Sequence, residues 1–171
     1  MAHIAHAPKF LLDSMTFLPG RETDKTTNYP STGATLYIPG YLSSLAKAYA
    51  ELGQFDHAWR AINEAMTGVE TTKERLFEAD IIRIGGEIAM LSHEPDGAKA
   101  EAYFERALAV ARQQQAKSWE LRAAMSLARL WRSQGKPQQA RELLAPVYGW
   151  FTEGWDTRDL KEAKALLEEL A

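Results

Sequence analysis

Histidines, carboxylates and adjacent glycines are the groups in this chain from which a chemistry could be assembled. His3 and His6 could bring two imidazoles together on a helix, but no carboxylate or third histidine joins them to complete a metal site. His57 and His93 stand alone in the sequence. Glu74, Glu78 and Glu87 could supply paired carboxylates, yet they interleave with Arg75 and Arg83 at helical spacings, the pattern of intrahelical ion pairs. Gly85 and Gly86 in "IIRIGGEIAML" belong to neither GxGxxG nor GxxxxGK[ST], so they cradle no phosphate. The chain has no cysteine, which removes thiolate nucleophiles, thiolate metal ligands and disulfides. No set of residues supplies a nucleophile, a base and a group to orient it, and the sequence predicts a protein that is not an enzyme and needs neither cofactor nor metal.

The totals are those of an ordinary globular chain. A length of 171 residues fits about one domain, and the net charge of -3 argues against general affinity for nucleic acid or anionic membrane. The N-terminal "MAHIAHAPKFLLDSMTFLPG" lacks a basic start, and its apolar stretch is interrupted by Asp13, so it is not read as a signal peptide. No window approaches the roughly 18 apolar residues that span a bilayer. The expected location is the cytoplasm.

Residues 1–35 carry turn chemistry, including "GRETDKTTNYPSTG", and are expected to form an irregular lead-in. Residues 36–171 have helical spacing almost throughout, which predicts an all-α domain. Seven helices are expected, over 38–52, 55–68, 72–91, 97–115, 118–134, 137–149 and 157–170. Thr71 and Glu74 have capping-box spacing, Asp96 can cap the fourth helix, Pro137 suits a first helical turn, and Asp156 or Thr157 can begin the last helix.

The helices repeat in pairs. In "LAKAYAELGQFDHAWRAINEA", Leu45, Ala46, Tyr49, Gly53, Phe55, Ala58, Ile62 and Ala65 alternate large and small residues. In "LARLWRSQGKPQQARELLAPV", Leu127, Ala128, Trp131, Gly135, Pro137, Ala140, Leu144 and Val147 fall at the same relative positions. Ile81, Ile84, Gly85 and Ile88 open a unit between them, which Ala100, Phe104 and Ala107 close after a turn lengthened by about three residues. The pattern resembles the tetratricopeptide repeat. That resemblance implies an α-α superhelix of three helix pairs, closed by a capping helix in "DTRDLKEAKALLEEL".

Within the repeat family, the stretches "ELGQFDHAWRAINEAM", "ETTKERLFEADIIRIGGEIAML" and "LLAPVYGWFTEGWDTRDLKEAKALLEEL" resemble the C-terminal repeat region of bacterial multidomain signalling proteins, which carry nucleotide-cyclase or DNA-binding domains and an ATPase module upstream. The resemblance covers about residues 33 to 171 and brings no catalytic residue onto this chain. It implies an inner face lined by Ser43, Lys47, Ala50, Glu51, Ile82, Arg83, Gly86, Met90, Arg122, Met125, Arg129 and Arg132, of which Lys47, Arg83, Gly86, Met90, Arg122, Met125, Arg129 and Arg132 are assigned to the partner-binding groove. That face is expected to form a basic, partly apolar groove for an acidic or C-terminal peptide. The two-carboxylate clamp of some family members is not expected, because its Lys and Asn positions hold Ser43, Gly86 and Met125. Gly85 is expected to let two helices touch, and Gly86 to leave an open position in the groove. The aromatics of "VYGWFTEGWD" are expected to wedge the last repeat against its cap, and Trp59, Trp119 and Trp131 to fill the core. The expected function is a noncatalytic interaction module with a protein or peptide partner and a possible homodimer. The alternative is a ligand-sensing domain that controls an associated cyclase or ATPase.

Overall fold

Small residues that recur where two helices cross decide how this chain packs. A computed structural model describes residues 37–171, which lie within a unit that runs Ala34–Ala171. The expected lead-in over 1–35 and the pair His3 and His6 lie outside the described residues. The described residues are all-α and contain seven helices and no strand: α1 (Ile38–Glu51), α2 (Phe55–Thr72), α3 (Glu78–Leu91), α4 (Gly97–Gln113), α5 (Lys117–Ser133), α6 (Pro137–Gly149) and α7 (Arg158–Glu169). Helices α1 and α2, α3 and α4, and α5 and α6 form antiparallel-type pairs; each odd helix also packs on the next odd one, and α7 closes the stack against α5 and α6. The architecture is a helical repeat of three pairs and a final helix.

The aligned small positions explain the pairing. Ala46 and Ala128 are fully buried, as are Ala58, Ala100 and Ala140, and Ala65 and Ala107. A methyl group at these sites lets backbones approach, while Ile62, Phe104 and Leu144 fill the space between the helices of each pair and are at most 3% exposed. The turns obey the same repeat. Gly53 and Gly135, at matching positions, have φ of 74° and 76°, the left-handed region that costs other residues about 1 kcal/mol. Their turns are three residues long, whereas 92–96, between α3 and α4, is five. There, the Ser92 hydroxyl donates to the carbonyl of Glu94 at 2.6 Å, and the Asp96 carboxylate accepts from the Lys99 N–H at 2.9 Å, as its capping position predicts.

The start of α3 differs from expectation. No capping box forms at Thr71, because α2 continues to Thr72 and the Thr71 hydroxyl donates back to the carbonyl of Thr67 at 2.8 Å. Lys73 then ends α2 in the left-handed conformation, and α3 begins only at Glu78. Threonine hydroxyls that bond inside the helix remove the signal that would otherwise mark a boundary. Thr157 stands at the start of α7 without a side-chain capping bond.

Helix α3 lies at the division between two cores. Ile81, Ile84 and Ile88 pack with Ala46, Ile62 and Val69, whereas Ile82 and Ala89 pack with Phe104, Leu121, Leu127 and the residues toward α7. Its glycines permit this. A Cβ on Gly85 would lie 2.8 Å from the Tyr103 ring, and one on Gly86 would lie 2.5 Å from the Phe104 ring. Gly85 is the packing requirement that was expected. Gly86 is not an open groove position: it is buried, and Phe104 occupies the space.

Phe104 is 2% exposed, while Tyr103 is only partly buried and can yield. Gly86→Ala is therefore expected to lose about 1–3 kcal/mol through overpacking, and more than Gly85→Ala loses, although alanine favours a helix by about 1 kcal/mol. Urea denaturation of the two variants measures the order; a Gly86→Ala protein as stable as the parent would refute the placement of Phe104. Gly85→Leu, whose larger side chain meets the same ring, is expected to be unfolded by circular dichroism. Gly53→Ala and Gly135→Ala, which meet no neighbour, are each expected to cost about 1 kcal/mol from backbone strain alone.

Candidate functional site

The odd-numbered helices place their polar residues on one shared face. Two cavities open along it. The larger, about 470 Å³, is lined by Lys47 and Glu51 of α1, Glu87, Met90 and Leu91 of α3, Phe104 of α4, and Ser126, Arg129, Leu130 and Ser133 of α5. The smaller, about 260 Å³, is lined by Lys47, Arg83, Glu87, Arg122, Met125, Ser126, Arg129, Arg158, Asp159 and Glu162. Lys47, Glu87, Ser126 and Arg129 border both.

Six of the eight residues assigned to the groove from sequence line these cavities: Lys47, Arg83, Met90, Arg122, Met125 and Arg129. Gly86 does not, because Phe104 covers it and reaches the cavity in its place. Arg132 does not line them either and pairs with Glu169 of α7. Glu51 lines the larger cavity, but Ser43, Ala50 and Ile82 are buried behind the face, where the Ser43 hydroxyl donates to the carbonyl of Gly40 at 2.8 Å.

The face is not basic. Lys47 binds Glu87 at 3.1 Å, and Arg83 is held by Asp80 at 2.8 Å and by Glu87. Arg122 binds Asp159 at 2.7 Å and Arg129 binds Glu162 at 2.9 Å. Each cation expected to attract an acidic ligand is thus bonded to a carboxylate of its own or the next odd helix. The acidic partners come from Asp80 and Glu87, three residues before and four after Arg83, and from the α7 residues Asp159, Glu162 and Glu169. Their helical spacing with arginines was visible in sequence for Glu87, but the pairs between α5 and α7 require the fold.

Burial ranks these pairs. Arg83 retains only 12% side-chain exposure; burial disfavours its charge, but Asp80 and Glu87 more than compensate and hold it firmly protonated. Arg132 and Glu169 are 43% and 57% exposed, so solvent screens their attraction. On α7, Arg158 and then Arg129 hold the Glu162 carboxyl below the usual carboxylate range.

Two buried glutamates fix the opposite end of the central helices. Glu78 accepts from Arg75 at 2.6 Å and from the Gln114 side-chain amide at 3.0 Å, which ties the start of α3 to the end of α4. Glu120, 5% exposed, accepts from Arg112 at 3.0 Å and Lys117 at 2.7 Å. Burial alone would raise its pKa, but the bonds from Lys117 and Arg112 outweigh that and hold it below the ordinary glutamate range.

The remaining candidates take structural places. His57 packs on Tyr49 with ring centroids 5.3 Å apart, and His93 packs edge-on to Phe55 at 5.1 Å. Glu78 and Glu87 form the expected pairs with Arg75 and Arg83. Trp131 is buried and its indole N–H donates to Glu101 at 2.6 Å; Trp59 lies against Tyr103, and Trp119 against Phe77 and Arg122. The aromatic run is divided: Tyr148 and Phe151 pack on the core, but Trp150 and Trp155 are 57% and 47% exposed and only lean on them. No helix among the described residues is long and apolar enough to cross a membrane. No family model matches the chain, and no curated protein matches it.

Arg83→Ala would leave the largely buried Asp80 without its cation and Glu87 with Lys47 alone, and is expected to cost about 2–4 kcal/mol, against less than about 0.5 kcal/mol for Arg132→Ala, in chemical denaturation. Because the folded pKa of Glu120 is depressed, its stabilisation is complete above the ordinary glutamate range and is lost as pH falls through the folded value. Between about pH 6 and pH 3 the parent is therefore expected to lose more stability than Glu120→Gln. Equal pH slopes would show that Glu120 does not carry this term.

Proposed function

We propose that the chain is a noncatalytic interaction module of the tetratricopeptide type, and that the face of its odd helices binds a protein or peptide. The observation that supports this most is the larger cavity, whose apolar floor of Met90, Leu91, Phe104 and Leu130 is open beside ordered ion pairs. Such a face suits a segment that buries side chains in the floor and aligns its backbone along the rim. Its acidic and basic groups largely neutralise one another, which gives no steering toward nucleic acid or anionic membrane. The repeat pattern and the resemblance to bacterial signalling proteins support a cytoplasmic scaffold role, with self-association as one mode.

Affinity capture with cross-linking tests this reading. The expected result is a partner, or a second copy, with cross-links that map to α3 and α5 on the cavity side. Absence of any partner, together with sedimentation that is unchanged at two concentrations, would refute it.

A second reading is favoured by the cavity's volume alone. About 470 Å³ lies within the range of roughly 300–1,000 Å³ typical of small-ligand sites, which fits a sensor that regulates an associated cyclase or ATPase. Thermal shift against nucleotides and metabolites separates the two: a saturable rise in melting temperature supports the sensor, and no shift with any compound removes it.

A further inference from the structure

The charges around the larger cavity select among possible peptides. Lys47 and Arg129 on its rim are already bonded to Glu87 and Glu162, so an incoming carboxylate must displace a resident one and exchanges one ion pair for another. Glu51 differs. It lines the same cavity, is exposed, and has no ion pair among the described residues, while every other charged residue that lines either cavity has one. Leu91 lines the same cavity and, at 46%, is the one exposed residue of α3. An apolar side chain open in a depression gains from any group that covers it.

From the juxtaposition of this apolar floor with one unanswered carboxylate, we infer that the cavity receives a partner segment that inserts a single bulky apolar side chain and places a lysine or arginine beside it, against Glu51. The inference rests on the peptide-binding reading above and names its ligand. It reverses the preference for acidic peptides that the arginines suggest in sequence. The inserted side chain meets Met90, Leu91, Phe104 and Leu130, and the basic neighbour supplies the counter-charge that no described residue provides.

Random 12-residue peptides displayed on phage and selected on the full-length chain test this. The enriched sequences are expected to share Leu, Met, Phe or Trp adjacent to Lys or Arg. Synthetic versions, titrated by fluorescence polarisation, are expected to bind Leu91→Glu about tenfold more weakly, the scale of one lost bulky apolar contact. Glu51→Lys is expected to weaken them by about tenfold as well and to prefer acidic neighbours instead. Both positions are exposed, and circular dichroism confirms that the variants fold. Enriched peptides that are acidic, or that ignore either substitution, overturn this inference but leave peptide binding intact. If nothing is enriched over a blank surface, the peptide-binding reading falls with it.

Discussion

The stack depends on how closely α3 can approach α4. Two aromatic rings, Tyr103 and Phe104, lie where side chains at Gly85 and Gly86 would be, so the pair closes only because those positions are empty. The consequence spreads because α3 faces both cores: Ile81, Ile84 and Ile88 look toward the first pair, and Ile82 and Ala89 toward the rest. A change in its depth would displace packing on both sides, since close-packed interiors transmit strain rather than absorb it. Two glycines that each weaken a helix by about 1 kcal/mol are offset by the apolar burial their absence of bulk permits.

Much of this was legible in the sequence for a definite reason. Small residues at Ala46, Gly85 and Ala128, and glycines at Gly53 and Gly135, are dictated by backbone approach and backbone conformation, both local requirements that leave a periodic trace. The division of labour between Gly85 and Gly86 was not legible, because a place on the inner face predicts which way a side chain would point but not that Phe104 already fills the space. The α3 boundary failed differently: Thr71 has the residue type of a cap but bonds within α2. Composition alone cannot distinguish those two uses of one hydroxyl.

The site shows the same limit in its electrostatics. Lys47, Arg83, Arg122 and Arg129 line the cavities, and six of the eight assigned positions reach one. The availability of Arg122 and Arg129 was misjudged because their carboxylates, Asp159 and Glu162, lie on α7 more than thirty residues along the chain, and that of Lys47 because its partner Glu87 lies on α3; only Arg83 has its partners close in sequence. An arginine's availability depends on partners that only tertiary packing brings near. Glu51, placed on the inner face from sequence, is distinguished there only by the ion pairs that its neighbours have and it does not.

The pattern of those ion pairs has a mechanical meaning. Lys47 and Glu87 link α1 to α3, and three arginine–carboxylate pairs link α5 to α7, but among the described residues none crosses from α3 to α5. In a stack whose units touch only their neighbours, each step is held by its own contacts. Between α3 and α5, where the larger cavity lies, the contact is without ion pairs, while Arg112 with Glu120 and Trp131 with Glu101 join α4 to α5 behind it. The seam is thus bonded on one side and free of ion pairs on the other, and the free side is the one a bound segment would occupy.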